Sequence, residues 1–176
     1  MTQNRDAVVY DLDGTLVRLV VDWEAVEDEI GEILRAADVD PDALSAWELL
    51  DAAEDVGVGC EVDALIAAHE RAGAERSVRL PRADELAGCD RPVGVCSLNC
   101  EDAVRIALAR HDLAGYVSAV VGRDTVGARK PDPAPLLAAV RELDTAPDRV
   151  LFVGDSERDA ETARRAGTAF EYAGDR

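Results

Sequence analysis

The sequence predicts an α/β fold, a doubly wound parallel sheet with a small α-helical segment inserted after the first strand. Three observations predict it. Short apolar runs recur along the chain and each stops at a polar cluster, as buried parallel strands stop at the edge where ligands bind. Amphipathic helical stretches separate these runs, the pattern of crossover connections between parallel strands. Residues 17–79, by contrast, show helical periodicity and no convincing strand, as an inserted helical module would.

The first strand is Ala7–Tyr10, four apolar residues followed by Asp11, Asp13, Gly14 and Thr15. A strand cannot keep two carboxylates inside a core, so the charges mark its end. Gly14 permits a sharp departure there, and Thr15 can hydrogen-bond the turn. Asp22 then caps a helix with Trp23, Val26, Ile30, Ile33, Leu34 and Ala37 on one face. Asp40 and Pro41 read as the N-cap and first position of a second helix, with Ala43, Trp47, Leu50 and Ala53 on its stripe and a stop near Gly57 or Gly59. A third runs from about Glu61 to Gly73, aligning Val62, Leu65, Ile66 and His69. The two tryptophans read as core anchors of this helical segment and His69 as a packed residue.

From Leu80 the strand–helix alternation resumes. Pro92–Cys96 is a strand ending at Ser97, and Asn99 or Cys100 opens a helix carrying Val104, Ala107, Leu108 and His111. Val117–Val121 is the next strand. Lys130-Pro131-Asp132-Pro133 leads into a helix with Leu136, Leu137, Val140 and Leu143, and Val150–Val153 is a strand ending in Gly154-Asp155-Ser156. A helix to Gly167 and a final strand, Thr168–Tyr172, complete the pattern. The organisation expected is a core of residues 1–16 and 80–176 with the helical insertion at 17–79.

Composition narrows the function. The chain has 176 residues, 48% of them hydrophobic, enough to bury one good core. No apolar run approaches the ~20 residues of a membrane span, and the polar start leaves no room for a signal peptide, so a cytoplasmic protein is expected. The 37 acidic residues outnumber 19 basic ones for a net charge of -18, which argues against nucleic acid and anionic membranes as partners. Every basic residue except Lys130 is an arginine. An acidic, nearly lysine-free composition of this kind looks haloarchaeal, because a saline cytoplasm screens the self-repulsion. Cys60, Cys89, Cys96 and Cys100 have no zinc-ligand spacing and read as buried free thiols.

Three predicted strands end in polar clusters, at Asp11 and Asp13, at Ser97 and at Asp155, and a parallel sheet brings those ends to one edge. Two carboxylates as close as Asp11 and Asp13 repel unless a cation joins them or one holds a proton. Metal binding, nucleophilic attack and acid–base work are all open to them, as is a plain Asx turn. Asp155 and Asp159 fall on one side of an incipient helix, where Ser156 and Asp159 also fit a capping box. With Asp11 they would supply hard oxygen ligands for Mg²⁺. Lys130, a compact ammonium in a fixed turn, suits a place among carboxylates and a phosphate.

In this order the pieces resemble the haloacid dehalogenase superfamily of phosphohydrolases. The resemblance rests on D-L-D-G-T at Asp11–Thr15, Ser97 after a strand, R-K-P-D-P at Arg129–Pro133 and G-D-S-x-x-D at Gly154–Asp159. It covers the chain outside the helical insertion, which stands where the family commonly carries a helical cap on a Rossmann-like core. The nearest look-alikes are the phosphoglycolate-phosphatase-like members. The resemblance implies Asp11 as nucleophile and Asp13 as general acid and base. It implies Ser97 and Lys130 as holders of the phosphoryl group. Mg²⁺ would be bound by Asp11, Asp155, the backbone carbonyl of Asp13 and, directly or through water, Asp159. The implied substrate is a small phosphorylated metabolite. Thr15, Arg18 and Asn99 are also expected at the binding site, and Arg18, just beyond the first motif where the insertion begins, is expected either to reach a distal anionic group of the substrate or to stand solvated on a hinge. An acid at Asp13 disfavours a dehalogenase, and a cap without lysine disfavours a phosphonatase. A phosphomutase and a non-catalytic regulator on the same fold are the alternatives. Two departures bear on the substrate: Val17-Arg18-Leu19 follows the first motif, and Asn99 stands two places after Ser97.

Overall fold

The structure, a computed structural model, describes residues 5–174, apart from the side chains of residues 46 and 47. Five parallel strands form the central sheet: β1 (Ala7–Tyr10), β4 (Val93–Cys96), β5 (Ala119–Val121), β6 (Val150–Gly154) and β7 (Ala169–Tyr172), in the order β5-β4-β1-β6-β7. β1 lies at the centre because its four apolar residues are buried on both faces. Val8 and Tyr10 pack with Val104, Ala107 and Leu108 of α4 (Glu101–Arg110). Ala7 and Val9 pack on the other face with Leu136 and Val140 of α5 (Ala134–Glu142) and Ala163 of α6 (Glu157–Ala166). The period-two alternation of one strand thus produces both layers of the doubly wound fold.

Register brings the strand ends together. Tyr10 pairs with Val95 of β4 and Val153 of β6, so the polar residues that follow each strand emerge side by side. The ladder runs one residue further, with the Asp11 N–H donating to the Val153 carbonyl at 2.8 Å and the Ser97 N–H to Val121 at 2.9 Å.

The inserted segment holds α1 (Trp23–Ala36), α2 (Ala46–Asp55) and α3 (Gly59–Ala74). Val26, Ile30, Leu34, Leu49, Ala53, Val62 and Ile66 form a separate apolar core among them. Asp22 caps α1 as expected, its carboxylate accepting from the Ala25 N–H. Three expectations for this region need correction. The segment does contain strand: β2 (Val17–Arg18) pairs antiparallel with β3 (Val78–Arg79) where the chain leaves and re-enters the core. The second helix starts at Ala46 rather than Pro41, because Glu48 turns back to accept the Ser45 N–H at 2.8 Å and makes the stronger start. Trp23 is 45% exposed and is no core anchor. Trp47, the other expected anchor, has its side chain outside the described residues. His69 is packed on α3 against Glu29 of α1, at 3.1 Å.

The cysteines are all free, but only Cys96 and Cys100 are buried, and Cys60 is exposed. Burial pushes the Cys96 thiol up to about 12 and that of Cys100 to about 11, so neither is a ready nucleophile. Among the described residues no helix is long and apolar enough to cross a membrane.

Candidate active site

The edge where β1, β4 and β6 end forms the floor of a cavity of about 680 Å³, and α1, α2 and α3 form its opposite wall. Asp11, Asp13, Ser97, Asn99, Lys130, Asp155 and Asp159 all line it. Residues separated by more than a hundred positions thus meet in one place. The two remaining expected binding residues lie elsewhere. Arg18 is exposed on β2, outside that lining. Thr15 is buried, and its hydroxyl has no hydrogen-bond partner; only its backbone joins the turn, donating to Leu12 at 3.3 Å.

The loop after β1 is tightly built. The Leu12 carbonyl accepts from Leu16 at 2.9 Å and Val17 at 3.0 Å, while Leu19 donates to Asp13 Oδ1 at 2.8 Å. That last bond fixes the Asp13 carboxyl over the cavity. Burial raises its proton affinity, and neighbouring Asp155 and Glu70 add to the rise, although the Leu19 N–H opposes it. The result is an acid inclined to hold its proton.

Lys130 organises the floor. Its Nζ donates to Asp11 Oδ1 at 2.8 Å, to Asp159 Oδ1 at 2.6 Å and to the Cys96 carbonyl at 3.2 Å, and lies 5.4 Å from the Phe152 ring centroid. Three acceptors use all three ammonium protons. Burial would discharge Lys130, but Asp11 and Asp159 outweigh it and raise its proton affinity. Asp11 is pulled both ways. Burial raises it most, Lys130 opposes, and Asp159 and Asp155 add to the rise, so that together they push it up to about 7. Of this buried pair the lysine is the firmer charge, since two carboxylates face it.

Asp11, Asp155 and Asp159 each offer a carboxylate oxygen within 4.8 Å of the others. Their donor chemistry fits a hard divalent cation such as Mg²⁺. The individual roles differ. Asp159 has Oδ1 on Lys130 and Oδ2 on the Ser156 hydroxyl at 2.6 Å, so its oxygens are already engaged. Asp155 is exposed at the mouth, and burial and Asp159 together raise its proton affinity. Gly154 allows this crowding: a Cβ there would stand 2.6 Å from Cβ of Asp159.

Ser97 is held by Asn99, donating its hydroxyl to Asn99 Oδ1 at 3.1 Å and accepting the Asn99 N–H at 3.1 Å. Asn99 in turn reaches Glu70 of α3 at 3.4 Å. Glu70, only 2% exposed, also accepts the Cys100 N–H at 2.9 Å and Arg123 at 3.1 Å. Arg123 continues to Asp63 of α3 at 2.6 Å. A buried chain of hydrogen bonds therefore runs from Ser97 to the helical insertion. Glu70, Arg123 and the cavity-lining Arg129 are functional candidates that the sequence reading missed. Glu70 had a signal: it continues the apolar stripe of Val62 and Ile66 on α3, where an acid demands a partner. Arg123 follows β5 at the active edge, one residue beyond Gly122.

Residues 83–172 match the family described as haloacid dehalogenase-like hydrolase. The chain is 33% identical to the phosphoglycolate phosphatase of Rhodospirillum rubrum over 92% of its own length and 76% of that protein. It is 32% identical to the phosphoglycolate phosphatase of Cereibacter sphaeroides over 93% of its length and 82% of that protein. A crystal structure of a HAD-superfamily hydrolase from Geobacter sulfurreducens superposes with a TM-score of 0.63 at 24% identity, covering 94% of this chain and 88% of the other.

Proposed function

The chain belongs to the haloacid dehalogenase-like hydrolases, and from that premise we propose that it is a Mg²⁺-dependent phosphatase of small, phosphoglycolate-like phosphate monoesters. The observation that carries this reading is the position of Lys130, 2.8 Å from Asp11 and 2.6 Å from Asp159 on the floor of the cavity. Phosphoryl transfer needs positioning and charge compensation above all, and this arrangement supplies both beside a carboxylate nucleophile.

In the reaction we propose, Asp11 attacks phosphorus through the oxygen that Lys130 leaves free. The ester oxygen departs with the proton of Asp13, whose raised proton affinity suits the task. An aspartyl-phosphate on Asp11 remains. Asp13, now a carboxylate, takes a proton from water as that water attacks phosphorus, and inorganic phosphate leaves with Asp11 restored. Lys130 and Ser97 each exchange one of their protein acceptors for a phosphoryl oxygen when substrate binds, and Asn99 keeps Ser97 in place through its backbone N–H. Asp11, Asp155 and the Asp13 carbonyl would hold Mg²⁺, with Asp159 joining directly or through water; when bound, the ion supplies positive charge to the phosphoryl oxygens. Helices α1–α3, inserted between the first and second motifs, act as a cap over the cavity.

Hydrolysis of p-nitrophenyl phosphate with and without Mg²⁺, in the wild type and in Asp11→Asn, tests the reading. Mg²⁺-dependent turnover that disappears in the variant is expected. Turnover by Asp11→Asn at the wild-type rate would remove the nucleophile assignment.

A further inference from the structure

Four cationic side chains line the cavity, and three are engaged by the protein itself. Lys130 is held by Asp11 and Asp159, Arg123 by Glu70 and Asp63, and Arg158 has a partner of its own. Arg129 differs. It is half-buried and lines the cavity, yet its guanidinium has no hydrogen bond or ion pair among the described residues. Acid is not scarce there, since Asp11, Asp13, Glu27, Glu70, Asp155, Glu157 and Asp159 line the same cavity. An arginine left unpaired among so many carboxylates, in a chain of 37 acidic and 19 basic residues, is open to an anion from outside the protein. Its backbone is fixed in a turn, where the Asp132 N–H donates to the Arg129 carbonyl at 2.9 Å just ahead of α5.

We propose that Arg129 forms a second anion subsite that binds the carboxylate or second phosphate of the substrate. The inference rests on the phosphatase reading above and adds the residue that reads the second anionic group. Arg129 and Lys130 are consecutive, with Cα atoms ~3.8 Å apart across an ordinary trans peptide. One residue holds the phosphoryl group and the next presents a fork of donors shaped for a planar anion. Two such side chains lining one cavity suit a short substrate that carries its second anionic group close to the phosphate ester. Arg129 thus takes the role the sequence assigned to Arg18, which lies exposed on β2.

The test compares 2-phosphoglycolate with ethyl phosphate, two esters of equal chain length of which only the first carries a carboxylate. Wild-type protein should favour phosphoglycolate in kcat/KM. Arg129→Ala should lower the ratio of the two kcat/KM values by about 10–100-fold, mainly through KM, as loss of a charge-assisted bidentate contact would. Arg129→Lys should recover part of that ratio, and Arg18→Ala should leave it within about twofold. Equal loss on both substrates, or no loss, overturns the subsite. A binding readout separates this from failure of the phosphatase reading. Phosphoglycolate should raise the melting temperature of the wild type and raise it less in Arg129→Ala, whether or not turnover occurs. If neither ester is hydrolysed, the phosphatase reading fails; if the two melting shifts are also equal, the subsite fails with it.

Discussion

Asp155 stands where a side chain on residue 14 would have to be: a Cβ on Gly14 would lie 2.7 Å from the Asp155 carboxyl carbon. Gly14 also has φ 84°, a conformation that costs other residues about 1 kcal/mol or more. Two glycine properties, freedom of φ and absence of Cβ, therefore let the loop after β1 touch the loop after β6. Gly14→Ala should displace Asp155, lower activity at least tenfold and weaken the stabilisation by Mg²⁺. The apo melting point should fall only modestly, since the clash partner is exposed. Thermal scans with and without Mg²⁺ check both parts. An unchanged response to Mg²⁺ would detach this contact from the metal site.

Lys130 is the only lysine of the chain, and its ammonium fits among three acceptors. Lys130→Arg keeps the charge but replaces a compact group with a broad planar fork. A large fall in kcat without unfolding is expected, measured with p-nitrophenyl phosphate and circular dichroism. Lys130→Ala should lose at least as much activity, and about 3–5 kcal/mol of stability as two buried carboxylates lose their cation.

Without metal, three carboxyls of the site gain proton affinity on folding: Asp11, pushed up to about 7, together with Asp13 and Asp155. Between pH about 4 and 7 the folded protein holds protons that the unfolded chain has released. That contribution to stability is complete below the ordinary carboxylate range and is lost as pH rises through about 7. Melting temperatures in chelator should therefore decline from pH 5 to 7.5, with Lys130 limiting the decline. Mg²⁺ binds the ionised carboxylates, so its stabilisation should grow over the same range, reaching about 2.7 kcal/mol at ~100 times its Kd. The same Mg²⁺ increment at both pH values would contradict the assigned ligands.

The floor of the cavity was legible in the sequence because apolar runs stop abruptly at charges. Val150–Val153 ending at Gly154-Asp155 and Ala7–Tyr10 ending at Asp11 need only a parallel sheet to converge. Other features were not legible, for physical reasons. The β2–β3 ribbon has two residues per strand, too few for any period, and joins Arg18 to Val78 across the whole insertion. The exposure of Trp23 depends on where α1 lies against the core, which its own stripe does not specify. Arg18 and Arg129 look alike as residues. Only the folded loops decide that one faces outward from β2 and the other lines the cavity.

The acidic surface gives a prediction about salt. With a net charge of -18, and with Glu24, Glu27, Asp28, Glu29 and Glu32 crowded on α1, self-repulsion opposes folding at low ionic strength. Raising KCl from 0.1 to 1 M shortens the Debye length from about 10 Å to about 3 Å and screens those contacts. The melting temperature should rise over this range, and a fall would contradict a halophilic adaptation.

Glu70 provides the last prediction, because it joins the helical insertion to the loop after β4 that carries Ser97. Its carboxylate accepts from Cys100, Asn99 and Arg123, and its side chain is 3% exposed. Glu70→Ala leaves the Arg123 guanidinium and the Cys100 N–H facing a cavity, and a broken buried pair costs about 3–5 kcal/mol. Glu70→Gln keeps the shape and one acceptor oxygen but removes the charge, so it should cost less. The two variants separate packing from positioning. If Glu70 orients Ser97 through Asn99, Glu70→Gln should lower kcat/KM for every phosphate ester by a similar factor, about tenfold, at temperatures where it is fully folded. Arg123→Met should reproduce part of that loss by releasing α3 from the loop after β5. Wild-type kinetics in a folded Glu70→Gln protein would leave Glu70 as a fastening between α3 and α4 and nothing more.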